Sequence, residues 1–540
     1  MARFERRWRL ILAPVLAAVS APALASASAP AALASLPAPA LASASAPARA
    51  RASPAASAAT LDIARDCGCV GDNATVNTRA LNACAARAAV GDTLLVPPGV
   101  FLTGTVSLSA GVTLRFADGG WLQGSANASE YSADWDFWHV VQAVHAPGVR
   151  IVADSRGGKG GIVGAMWQMV KSYDAQQQFY TPVSWAGVGG CVGECRPKNL
   201  ALIDSDGAEL RDFALRDSSD WSLLLRRCSD LVVDGLVVRG SQQWGNGDGM
   251  DIESGTNISL SNLDIATGDD CIAMRSGNCN AMRTPWPLPL PPLSGVRMAN
   301  LTLSSTSCAI KVENLFQADH GDVEDVRATN VTIYASNRGI GVWQRVAGPS
   351  GGAIRNLSFT DVTIETRWAD SSNWWGSGEA LVVTTIPENP AQMATGLPGI
   401  HGVLFENVVA RAEGGCLFSS RGQADTSPRA LEGLVLRNVS LTIVRAAANP
   451  WTHNQLDFRP VDAGGGAPNT VPALVAGLTF EGVFSASVEG GSSVAFEGPP
   501  QPTWAGPGGV GACVVGNASV AADFACRTAA QTQSVNAVNA

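Results

Sequence analysis

Hydrophobic and polar residues alternate with period two along most of the chain, in short bursts separated by Asn, Asp and Gly. From about residue 148 one phrase keeps returning: LRDFALRDSSDWSLLL, LVVDGLVVRGS, ISLSNLDIATG, VRMANLTLSST, VEDVRATNVTIYAS, IRNLSFTDVTIET, VLFENVVARAE, LEGLVLRNVSLTIV and LTFEGVFSAS. Each copy holds two β-branched or aliphatic pieces around a turn residue, and copies start roughly 20 to 35 residues apart, the period of a solenoid. Alternation by two excludes a helical repeat. The Leu/Asn spacing of a leucine-rich repeat is absent, and a propeller needs four strands in about 45 residues. A parallel β-helix fits best, each coil stacking on the last and burying an inward apolar row.

Ahead of the repeats, TLLVPPGVFLTGTVSLSAGVTLRFADGGWLQG gives short strands broken by Gly and Pro. NTRALNACAARAA (77–89) has helical spacing and predicts a short capping helix. Residues 28–60 are Ala, Ser and Pro, too poor in large apolar side chains to fold, and read as a disordered linker within 26–60. Arg3, Arg6, Arg7 and Arg9 precede the apolar run LILAPVLAAV and small-residue sites near Ala21–Ala27. That order predicts a secretory signal over 1–25, with an organellar transit peptide as the rival; the run is too short for a membrane anchor. The solenoid is expected over 61–510 and a C-terminal tail over 511–540.

Composition adds three constraints. The 540 residues carry a net charge of −9, with only 15% charged and 57 glycines, which suits turn-rich β-structure and argues against a nucleic-acid partner. An acidic polysaccharide stays possible, since it needs positive charge only at the site. All twelve cysteines lie after residue 60, an even count that suggests disulfides of undeduced pairing, with Cys513 and Cys526 able to close a C-terminal loop. Cys67–Cys69 and Cys191–Cys195 spacings could suggest metal, but no histidine is near either, so no metal or organic cofactor is expected. Eight N-x-S/T sequons occur, and five of them, at Asn257, Asn300, Asn330, Asn356 and Asn438, sit inside the repeat phrase, where Asn turns a corner between strands.

The chemistry concentrates in WGNGDGMDIESGTNISLSNLDIATGDDCIAMRSG (244–277). Asp248 precedes Asp269 and Asp270 by about one coil, so the three carboxylates fall on adjacent strands roughly 4.8 Å apart. Carboxylates so placed repel and spread their pKa values, leaving one protonated and another ionised, the equipment for cleaving a glycosidic bond. The bland alternative is three turn residues.

Asn246-Gly247-Asp248-Gly249, followed one coil later by Gly268-Asp269-Asp270-Cys271-Ile272-Ala273 and Ser276-Gly277, closely resembles glycoside hydrolase family 28, the polygalacturonases. The resemblance spans most of 61–500. It implies an all-β fold, a single right-handed parallel β-helix of the pectin-lyase-like kind, and single-step inverting hydrolysis of pectin-type chains. By position Asp269 is the acid, while Asp248 and Asp270 activate water. An inverting pair stands roughly 6.5–9.5 Å apart, so the working pair is expected to be the diagonal one.

Two elements of the family pattern are missing. G-H-G is replaced by Ser304-Ser305-Thr306-Ser307-Cys308-Ala309-Ile310-Lys311, and R-I-K by a coil in which Gly341 and Trp343 occupy the Arg and Lys places. Asn246, Arg275, Lys311, Arg338 and Arg345 are therefore candidates for a rearranged substrate clamp, with Trp343, Trp374 and Trp375 as sugar platforms. The expected enzyme is a monomeric, secreted or wall-targeted glycosidase acting on a galacturonate- or rhamnogalacturonan-type polysaccharide, with no membrane association after signal removal. Rivals are a non-catalytic carbohydrate-binding or structural β-helix and a calcium-dependent pectate lyase.

Overall fold

A computed structural model describes residues 58–133, 138–188, 191, 195–277, 291–314, 321–346, 352–369, 376, 378–387, 399–420 and 431–444, with the backbone of short strands beyond. Ala58–Ala463 and Pro468–Ala540 belong to one compact unit. The signal, most of the linker, Cys279, His320, Trp374, Trp375 and Cys513 lie outside the described residues.

The period-two phrases become the coils of a right-handed parallel β-helix. On one face Gly255–Thr267, Leu293–Ser305, Val323–Ser336, Ile354–Thr366, Ile400–Ala412 and Leu431–Ile443 pair successively in parallel. On another, Leu223–Arg226, Met250–Glu253, Ile272–Arg275, Cys308–Asn314, Arg338–Val346, Glu379–Pro387 and Cys416–Ser420 do the same. The register stacks like on like. Leu263, Leu301, Val331, Val362, Val408 and Val439 form one buried row, and Phe359 stacks on Phe405 with centroids 5.3 Å apart. Each such side chain contributes about 1.5–3 kcal/mol of burial, and a one-residue slip would turn the whole row outward.

The corner reading of the repeat asparagines holds. Asn262, Asn300, Asn330, Asp361, Asn407 and Asn438 share one register and have left-handed φ between 51° and 58°, which short amide and carboxylate side chains tolerate best after glycine. Their side chains bond along the axis: the Nδ2 of Asn330 donates to Asn300 Oδ1 at 2.8 Å, and that of Asn300 to Asn262 Oδ1 at 3.1 Å. The predicted cap is a helix over Thr78–Ala85 that buries Leu81, Cys84 and Ala85 and packs on Val106–Leu108, the first strand of its sheet. Cys67 is bonded to Cys84 and Cys191 to Cys195. No described helix is long and apolar enough to cross a membrane.

Candidate active site

The site stands on the second face, where outward positions of successive coils line up. Met250 pairs with Ile272, so Asp248 lies opposite Asp270, and the Gly249 N–H donates to the Asp270 carbonyl at 2.9 Å. Asp269 precedes Asp270 in the turn, and its carboxylate folds back to accept from the Asp270 N–H at 3.0 Å and the Asn246 N–H at 3.1 Å. Asn246 has φ 55°, which aims that N–H at the acid. The three carboxylates thereby bring one oxygen each within 4.8 Å of one another. This is tighter than the 6.5–9.5 Å expected from a diagonal pair. The reason is the direct Asp248–Asp270 register together with the hydrogen bonds that pull Asp269 back over them.

Each carboxylate has a different environment. Asp270 is buried, ion-paired to Lys311 Nζ at 2.9 Å, and accepts from Ser307 Oγ at 2.8 Å and the Cys308 N–H at 3.1 Å. Asp269 is half-buried; desolvation and the neighbouring Asp270 raise its pKa to about 6, against the pull of Lys311. Asp248 is 5% exposed, and its Oδ1 has no hydrogen-bond partner. Burial, then the charges of Asp251, Asp269 and Asp270, push it well above the carboxylate range. Burial works to lower the Lys311 pKa, but Asp270 and Glu313, 3.0 Å away, outweigh it.

Beneath these residues lies a charged layer that the sequence reading missed. Arg275 forms ion pairs with Asp251 at 2.8 Å, Glu313 at 2.9 Å and Glu253 at 3.5 Å, and Arg226 pairs with Glu253 at 2.7 Å. Burial raises Asp251 to about 8 despite Arg275. The signal was present in the alternation of MDIE, AMR and IKVE, where Glu253, Arg275 and Glu313 fall in one register on three successive coils.

This layer corrects the Arg275 expectation. Its side chain is 4% exposed and surrounded by three carboxylates, because it shares a register row with Glu253. Its guanidinium is thus already engaged by the carboxylates around it. Trp343 is 8% exposed and packs with Cys308 and Val382. Asn246 is exposed and meets Asp269 through its backbone, while its side chain accepts from Arg196 at 3.4 Å. Lys311 and the half-buried Arg338 are the candidates that flank the acids, Arg338 lying 3.4 Å from Glu379 and 4.9 Å over the Trp343 ring. Arg345 pairs through its backbone with Ile386, and its side chain is outside the described residues. His139 is buried at hydrogen-bond distance from Gln142, and burial lowers it to about 3.

The Gly341–Trp343 pair explains itself. A Cβ on Gly341 would lie 1.7 Å from Cη2 of Trp343, so the indole lies across the glycine where the resemblance has an arginine. Gly341→Ala is expected to displace that ring from Arg338 and to cost about 1–3 kcal/mol by overpacking, read as a lowered midpoint in urea unfolding.

Asp248, Asp269 and Asp270 are also the described residues whose oxygens could meet on one cation, although Lys311 already supplies Asp270 with positive charge.

Comparison with known proteins identifies the family. The model of glycosyl hydrolases family 28 matches residues 89–367, more than half the chain. A probable polygalacturonase of Vitis vinifera is 23% identical over 408 residues, covering 72% of this chain and 75% of that one. An exo-poly-alpha-D-galacturonosidase of Dickeya chrysanthemi is 22% identical over 462 residues, covering 73% of each. The family 28 exopolygalacturonase of Yersinia enterocolitica superposes with a TM-score of 0.54 at 17% identity, over 82% of this chain and 77% of that one. The exopolygalacturonase of Thermotoga maritima gives 0.53 at 16% identity, over 71% and 87%. With the aspartates of the resemblance gathered on one face of a parallel β-helix and the family model spanning the coils that carry them, the chain belongs to glycosyl hydrolases family 28 and is a glycosidase.

Proposed function

We propose that this glycosidase hydrolyses a pectin-type polysaccharide with galacturonate or rhamnogalacturonan units, by single-step inversion. The observation that carries the reading is the convergence of Asp248, Asp269 and Asp270 with Lys311 seated on one of them. Asp269, half-buried and raised to about 6, protonates the leaving oxygen. Asp270, ion-paired and held by Ser307 and Cys308, takes the proton of the attacking water. Asp248 directs its partnerless Oδ1 to that water. Because the carboxylates crowd together, the water sits to one side of the acid and not between two distant groups, and the sugar ring lies over the cluster.

Lys311 and Arg338 are the cations that face a uronate carboxylate on this reading, and Asn246 sets the acid. No cofactor takes part. A secreted destination is consistent with the Cys67–Cys84 and Cys191–Cys195 disulfides, and the protein acts as a monomer.

The test is reducing-end release from polygalacturonate, rhamnogalacturonan and neutral pectic side chains, with proton NMR of the first-formed anomer. The expected result is turnover of one uronate-containing polymer with inverted configuration, lost in Asp269→Asn. Retained configuration would refute the single-step mechanism, and turnover of neutral chains alone would refute the substrate class.

A further inference from the structure

Between the coil strands Gly161–Val163 and Lys198–Ile203 the chain leaves the solenoid for 34 residues (164–197). It makes a 3-10 turn, Met166–Met169, and then a two-stranded antiparallel hairpin, Val170–Asp174 with Phe179–Pro182, separate from the parallel sheets. The insertion is firmly docked. Met166 and Met169 are buried with Ala165 against Trp244, while Trp185 packs against Trp138 and Tyr131 at 5.0 and 5.5 Å. The Cys191–Cys195 bond closes its return.

Where it docks is the informative point. The Tyr180 N–H donates to the Gln243 carbonyl at 2.9 Å, and Tyr180 forms a β-bridge with Trp244. The Phe179 ring lies so near Gly245 that a Cβ there would stand 2.9 Å from it. The next residue is Asn246, whose N–H holds Asp269. The hairpin thus continues directly from the loop that sets the acid.

Its outer face is aromatic. Trp167 is 51% exposed and Tyr173 44% exposed. Tyr180 lies half-buried between them, edge-on to Trp167 at 5.6 Å and paired across the strands with Tyr173 at 4.5 Å. The Trp167 indole also donates to the Asp217 side chain, which fixes the ring. Met166 and Met169 are buried within the fold, while Trp167 keeps half its surface in solvent. Two exposed rings joined by a half-buried third, continuous with an active site, mark a binding surface. The occupant that fits is a pyranose chain, whose apolar C–H faces lie flat on aromatic rings while its hydroxyls stay in water.

We propose that Trp167, Tyr173 and Tyr180 form a sugar-stacking subsite that holds the polysaccharide beyond the cleaved bond. The proposal rests on the hydrolase reading above and adds to it a determinant of chain-length preference.

The test uses the full chain carrying Trp167→Ala and Tyr173→Ala together, and the same pair in an Asp269→Asn background. Both rings are exposed, so the variant is expected to melt near the parent. The expected result is a rise of about tenfold in KM for the polymer, the scale of one to two lost ring contacts, with the loss confined to long chains and absent for the shortest oligosaccharides cleaved. Tyr173→Phe keeps the ring and is expected to restore most of the affinity. In the Asp269→Asn background the pair should weaken polymer binding by the same factor, measured calorimetrically without turnover. An unchanged KM and unchanged binding would overturn the proposal, as would binding to none of the pectic polymers. Polymer binding that depends on the rings in a protein that cleaves nothing would sink the hydrolase reading and leave the subsite standing.

Discussion

Asp269→Asn is expected to abolish turnover while making the protein more stable at neutral pH. General-acid catalysis is worth about 10²–10⁴-fold, and no other half-buried carboxyl in the cluster is placed to protonate a leaving oxygen. The stability gain follows from the raised pKa. The ordinary carboxylate value is 3.8, and in the fold burial and Asp270 raise Asp269 to about 6. Between those values the folded state binds more protons than the unfolded chain, so stability falls as pH rises through this window, and the penalty is complete above it. Asn carries no charge to desolvate. The variant should therefore melt above the parent at pH 7, with the gap closing below pH about 4. The same pKa predicts the pH profile of the parent: kcat/KM falls as pH rises past about 6 and the acid loses its proton. Thermal melts at the two pH values and one pH–rate curve check both. A variant that keeps turnover, or a parent most active well above neutral pH, would remove Asp269 from the acid role.

Arg275→Met is expected to be the most damaging change away from the three aspartates. It strips the cation from Asp251, Glu253 and Glu313, all of which are fully buried. Removing one partner of a buried ion pair costs about 3–5 kcal/mol; Arg226 still faces Glu253 and Lys311 still faces Glu313, so the loss falls mainly on Asp251. The stranded acid can escape only by taking a proton, so the variant should recover much of its stability as pH falls. Arg275→Lys should lie between, because an ammonium cannot fork between Glu313 and Asp251 as a guanidinium does. Urea unfolding at pH 5 and pH 7 measures this. The clamp role suggested by the sequence gives a different result: a raised KM on an intact fold. That outcome would return Arg275 to the substrate side.

Arg275 shows where sequence reasoning reached its limit. Period two states that Met274 and Arg275 face opposite ways, and Met274 is in the core, so Arg275 is on the outer face. It does not state that the outer face of this sheet is itself covered, nor that Glu253 and Glu313 fall in the neighbouring places of that row. The sequence reading took Lys311 for a clamp residue as well. Its ammonium is held between Asp270 and Glu313, contacts that the spacing of the coils did not specify. Trp343 was legible as an aromatic in the right coil, but its 8% exposure depends on Cys308 and Val382, which are remote in sequence. The aromatic hairpin carried no repeat signal, and only its docking on Trp244 gives it meaning.

By itself the sequence determined the solenoid, its corners, its cap and the convergence of three aspartates. These depend on local period, on left-handed asparagines and on the length of one coil, all of which are properties of short stretches of chain. Tertiary structure alone decided how close the carboxylates come, which of them carries the lysine, and which arginine is hidden beneath them. Those outcomes depend on coil-to-coil register and on burial. A carboxylate's proton affinity is set by neighbours that lie one or two coils away along the chain, and on stacked coils those neighbours stand within hydrogen-bond reach.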